Sequence, residues 1–123
     1  MYRDTIVDMI DQYTVQRRFE RHVLSAPLEI MRRPPYGTAP LPGLTMEIAE
    51  GGFSAMISDE LKIGETVTAR IPLTGLDNLL VEAVVRNKNL FRYGFQFLGL
   101  TDEVRSTIIQ ACKCLLVYEG GWH

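Results

Sequence analysis

Three arginines fall within five residues at Arg17-Arg18-Phe19-Glu20-Arg21, and a second polar stretch, Glu47-Ile48-Ala49-Glu50-Gly51-Gly52, follows further along the chain. Arginine is the side chain best suited to planar anions and to the O6/N7 edge of guanine. Its fork donates two parallel hydrogen bonds, and its flat face stacks on rings. A carboxylate such as that of Glu47 accepts from N–H groups, and a glycine such as Gly52 permits close backbone approach. Five of the thirteen basic residues (Arg17, Arg18, Arg21, Arg32, Arg33) lie between positions 17 and 33. This local concentration points to a small anion, because a net charge of −2 suits few long nucleic acids. The chemistry on offer is recognition.

Nothing in the sequence competes as a catalytic or metal centre. The histidines are His22 and His123, the second of them terminal, and no phosphate-binding loop or nucleophile elbow occurs. Cys112 and Cys114 stand two apart on an expected helix, hence on opposed faces, and read as free thiols, with Cys112 in the core. A non-enzyme without cofactor or metal is expected. No apolar run reaches the ~20 residues of a membrane span, and the first residues lack a signal-peptide pattern, so a cytoplasmic protein without membrane insertion is expected.

The elements that must position these residues are short strands. Residues 4 to 15 predict an amphipathic helix with Ile6, Ile10 and Tyr13 on one side, and the arginine cluster follows as a linker. Val23 to Met31 predicts a first strand, with Pro27 marking an edge or a bulge. Residues 33 to 43, rich in proline, predict a loop. Leu44, Met46 and Ile48 alternate, Gly51-Gly52 turns the chain, and Phe53, Ala55 and Ile57 alternate again, which reads as a hairpin. Val67, Ala69 and Ile71 follow, then Leu79, Val81, Ala83 and Val85. An Asn87-Lys88-Asn89 turn is expected before Phe91, Tyr93, Phe95 and Phe97, all four assigned to the core face of the last strand. Closely spaced strands with no helices between them favour a small six-stranded antiparallel β-barrel. A C-terminal helix capped by Thr101 carries Val104, Ile108, Cys112 and Leu115 on one stripe, widened by Ile109 and Leu116. A stripe that wide suggests a homodimer through this helix. The expected organisation is an N-terminal helical extension over 1–15, a barrel domain with its C-terminal helix over 16–118, and a tail over 119–123.

The two polar stretches and this strand order resemble the PilZ family, whose signature is R-x-x-x-R followed by D/N-x-S-x-x-G. Arg17 and Arg21 match the first half. In the second half Gly52 matches, while Glu47 replaces Asp or Asn and Ala49 replaces Ser. The likeness continues through Leu61-x-x-Gly64-Glu65, Arg70-x-Pro72 and Arg92-Tyr93-Gly94-Phe95-Gln96-Phe97. It implies a receptor for cyclic di-GMP in which Arg17, Arg18 and Arg21 wrap the ligand against the barrel beside Glu47, Ala49 and Gly52. Such a receptor relays second-messenger level to a partner protein. The alternative is a degenerate PilZ domain that binds no nucleotide and serves protein–protein interaction. In that case Glu50 could turn toward the arginines and neutralise them. A third reading, a barrel for single-stranded nucleic acid, needs exposed aromatic residues.

Overall fold

The computed structural model describes residues 21–35, 39–73, 78–113 and 115. Among these residues six strands are present: β1 (His22–Arg32), β2 (Leu41–Ile48), β3 (Gly52–Ile57), β4 (Thr66–Ile71), β5 (Leu79–Asn89) and β6 (Arg92–Leu98). They close into an antiparallel barrel in the order β1-β2-β3-β6-β5-β4, and one helix, α1 (Asp102–Cys112), follows. The expected N-terminal helix lies outside the described residues, as do Arg17 and Arg18.

Alternation builds the interior. Phe53, Ala55 and Ile57 of β3, Val67, Ala69 and Ile71 of β4, and Tyr93, Phe95 and Phe97 of β6 all point inward and are buried. Phe53 stacks on Phe95, with centroids 4.5 Å apart. The Tyr93 hydroxyl meets the chain leaving β3, accepting from Leu61 N–H at 3.0 Å and donating to the Asp59 carbonyl at 3.1 Å. A buried phenol needs such partners.

Three bulges shift the strands from their expected phase. In β1 the register slips between Val23 and Ala26, and Pro27 sits within the strand opposite Leu44. The strand does carry a bulge, but ahead of Ala26 and not at Pro27, which pairs in regular register; the edge reading fails because a closed barrel has no edge. In β2 the register slips at Met46, between Thr45 and Glu47. An extra residue reverses the alternation before it. Leu44, expected on the core face, is thus exposed, and Thr45 is fully buried. In β5 the slip lies between Val85 and Asn87, and the strand continues through Asn89. The turn falls at Leu90-Phe91 instead of Asn87–Asn89, so Phe91 is 57% exposed and off the core.

Helix α1 begins where expected. Thr101 Oγ1 accepts from Val104 N–H at 3.1 Å, and Asp102 and Glu103 occupy the first turn, where the helix dipole favours acids. Ile108 and Cys112 are buried in the barrel's core cluster, with Val104, Ala111 and Leu115 packed against it. Most of the stripe is thus covered within the chain. Leu116 lies outside the described residues.

Candidate functional site

The site is assembled where the chain enters the barrel. His22 pairs with Ile48 and Val23 with Glu47, so Arg21 arrives beside the end of β2. Glu47 stands opposite Ser54, an outward position on β3, and not over the core, the phase its alternation with Ile48 gives. Its carboxylate is nevertheless 4% exposed, covered in part by two guanidiniums. Arg21 Nη1 lies 3.2 Å from Glu47 Oε1, and Arg92 Nη2 lies 2.9 Å from Glu47 Oε2. Arg92 Nη2 also approaches Ser54 Oγ at 3.4 Å. Two guanidiniums thus converge on one carboxylate on the outer face of β2, β3 and β6. The arginine side chains stay partly exposed, at 27% for Arg21 and 40% for Arg92.

The second stretch forms the corner between β2 and β3. Ala49 N–H donates to the Gly52 carbonyl at 2.8 Å, and Phe97 N–H donates to the Gly51 carbonyl at 3.0 Å, fastening the corner to β6. A Cβ on Gly52 would collide with the backbone carbonyl of Phe95. Close approach of two strands is therefore what demands glycine here. Ala49 is buried and brings no side-chain hydrogen bond to the corner. Glu50, which the sequence allowed to turn toward the linker arginines, instead faces α1, with its carboxylate 3.7 Å from Arg105 Nη1. That pair links the corner to the C-terminal helix.

The structure thus brings together Arg21, Glu47, Ala49 and Gly52 of the residues selected from sequence. It adds Arg92 and Arg105. Arg92 has the opposite parity to Tyr93, Phe95 and Phe97, which marked it as outward-facing. Its meeting with Glu47 depends on β6 lying beside β3, a long-range pairing that no local pattern encodes. Cys112 is chemically quiet: burial, and secondarily the Glu50 charge, push its thiol up to about 11 from an ordinary 9.0. Among the described residues no group of His, Cys, Asp or Glu could hold a metal ion, and no helix is long and apolar enough to cross a membrane.

The PilZ domain family model matches residues 15–113. The chain belongs to the PilZ domain family. No curated protein matches it in sequence. Among solved structures, the PilZ domain of CeSA from a cellulose-synthesizing bacterium is similar over 76% of this chain and 94% of its own, at 20% identity and a TM-score of 0.61. The PilZ domain of YcgR from Escherichia coli, a structure with c-di-GMP, is similar over 81% of this chain and 91% of its own, at 14% identity and a TM-score of 0.64. The inhibitor of motility MotI/DgrA from Bacillus subtilis is similar over 79% of this chain and 49% of its own, at 19% identity and a TM-score of 0.61. At such identities the likeness shows the fold.

Proposed function

We propose that this domain is a non-catalytic receptor for cyclic di-GMP that relays the level of that second messenger to a partner protein. The observation that carries this reading is the placement of Arg21 on Glu47 at 3.2 Å. The last arginine of the first motif and the first residue of the second share one outer face, where one ligand could touch both. The YcgR PilZ domain, of similar fold, was solved with c-di-GMP. Arg17 and Arg18 would approach from the linker and close over the phosphodiesters or stack on the purines. Ligand would then favour the wrapped arrangement of the linker over the open one, which is the condition for a switch. The Glu50–Arg105 pair offers a second route outward, through α1.

A second reading rests on a specific observation. Both oxygens of Glu47 already hold arginines, and Ala49 lacks the hydroxyl of the family signature. In that reading the seat is self-occupied, and the domain acts as a protein-interaction module or self-associates through α1.

Calorimetric titration with cyclic di-GMP separates the two. The receptor reading expects saturable heat with the natural chain and binding about 10- to 100-fold weaker in Arg21→Ala. The free Arg21→Ala protein should melt within about 1 kcal/mol of the parent, since Arg92 still holds Glu47. If neither the natural chain nor a Glu47→Asp/Ala49→Ser double variant shows heat at high micromolar ligand, the interaction module is the better account.

A further inference from the structure

The outer face of β2, β3 and β6 does not stop at the motif. Register sets Leu44 opposite Met56 and Met56 opposite Arg92, one row along from Glu47, Ser54 and Gly94. Leu44 is 40% exposed and Met56 38%, and with Phe91 they line a shallow, open groove that also takes in Pro42, Gly43 and Ile57. Scattered apolar residues on a surface are ordinary, but here three of them share one open groove, wide enough for a planar ring to lie on. Phe91 is fixed at the lip of the groove. Ile57 N–H donates to its carbonyl at 2.8 Å, and Leu90 before it takes a left-handed φ of 61°, which a leucine adopts only where its surroundings hold it.

Charge and apolar surface therefore meet at Arg92. Its guanidinium lies on Glu47 at 2.9 Å, and its register partner Met56 lines the groove. Leu44 stands about 10 Å along β2 from Glu47, comparable with the length of one nucleotide. The complement of a cationic head beside an apolar, aromatic-lipped groove is an anion carrying a planar ring.

The geometry points to an extended ligand seat, in which Arg92 holds a phosphate and the groove of Leu44, Met56 and Phe91 receives a purine base. This inference rests on the cyclic di-GMP reading above and adds to it a subsite outside both sequence motifs. Stacking of a base on Phe91 is insensitive to salt, whereas the contact to Arg92 releases counterions, so the two contributions separate experimentally.

The test is calorimetry of cyclic di-GMP with the full chain at several salt concentrations. The variants are Phe91→Ala, Arg92→Ala and the control Leu80→Ala, an exposed position on β5 opposite Arg70. Phe91→Ala should weaken binding about tenfold with an unchanged salt slope. Arg92→Ala should weaken it at least as much and flatten the slope. Leu80→Ala should bind as the parent does. Binding by the parent with both Phe91→Ala and Arg92→Ala unchanged overturns the extended seat and leaves the receptor reading standing. Loss in Arg92→Ala alone overturns the apolar subsite. No binding by the parent overturns the receptor reading and the extended seat with it.

Discussion

The barrel has two unlike outer faces. On the side of β1, β4 and β5, charged side chains pair with opposite charges on other strands or the segments beside them. Glu29 stands in register with Arg70 and pairs with it at 2.8 Å, and Arg33 pairs with Glu82 at 2.6 Å, with every partner about half exposed. Arg32 holds Glu65 through two hydrogen bonds of 2.6 and 2.8 Å. On the side of β2, β3 and β6, two arginines share one nearly buried acid beside exposed Leu44, Met56 and Phe91. The first face is a neutral mosaic whose solvated pairs contribute about 0–1 kcal/mol each. The second gathers two arginines on one nearly buried acid next to apolar surface. Surface charge count does not separate the two; the sharing of one acid by two arginines beside apolar side chains does.

The strongest way to break this comparison is to remove the corner on which the second face is built. Gly52→Ala places a methyl group against the Phe95 carbonyl, a backbone atom that cannot step aside. We expect a loss of about 3 kcal/mol or more in denaturant unfolding, at the upper end of overpacking effects. An unchanged midpoint would mean that β3 and β6 can separate at Gly52, and that the corner is not a rigid support for Glu47.

How far the two faces could be read from the sequence depended on phase. Uninterrupted alternation made β3, β4 and the Tyr93–Phe97 part of β6 legible, because period-two patterns map directly onto a barrel's inside and outside. Legibility ended at the bulges. Met46 carries no local mark that an extra residue is inserted there, yet that insertion turns Leu44 outward and Thr45 into the core. The slip after Val85 likewise prolongs β5 and moves Phe91 into the turn. The site was half legible for a related reason. Arg21, Glu47 and Gly52 belong to contiguous motifs, whereas Arg92 joins them through the β3–β6 pairing, which only the closed topology specifies.

A matched pair of substitutions sharpens the comparison. Glu47 and Glu65 are both nearly buried acids gripped by arginine, one on each face. Neutralising either, as Glu47→Gln or Glu65→Gln, should cost about 1.5–3 kcal/mol at pH 7, the range for hydrogen bonds to charged groups. Ligand binding should distinguish them. Glu47→Gln is expected to weaken cyclic di-GMP about tenfold, because Arg21 loses the acid that orders it on the barrel, while Glu65→Gln leaves affinity unchanged. Equal effects on binding would erase the distinction between the faces. Glu65 adds a pH signature. The Arg32 hydrogen bond, joined by the Lys62 N–H, holds its carboxyl below the ordinary 4.5 despite burial. A depressed folded value gives stability that is fully present above 4.5 and lost as pH falls through that lowered value. The gap in stability between the parent and Glu65→Gln should therefore close below pH 4.5, in urea unfolding measured across that range.

The smallest expected effect lies directly beneath the ligand face. Thr45 is fully buried between the bulge at Met46 and exposed Leu44, and its Oγ1 has no hydrogen-bond partner among the described residues. A hydroxyl stripped of water without a partner is a net cost, and valine presents nearly the same shape with a methyl group in its place. Thr45→Val should therefore stabilise the domain by about 1 kcal/mol. Because Thr45 points inward, toward Ala55 across β3, the change should leave cyclic di-GMP affinity where it was. Stabilisation without a change in affinity would confine recognition to the outer side of β2. A loss of stability would instead mean that the hydroxyl is satisfied in solution. If affinity shifted while stability held, the inner side of the strand would be helping to set the bulge beside Glu47, and the division between core and ligand face at this strand would have to be redrawn.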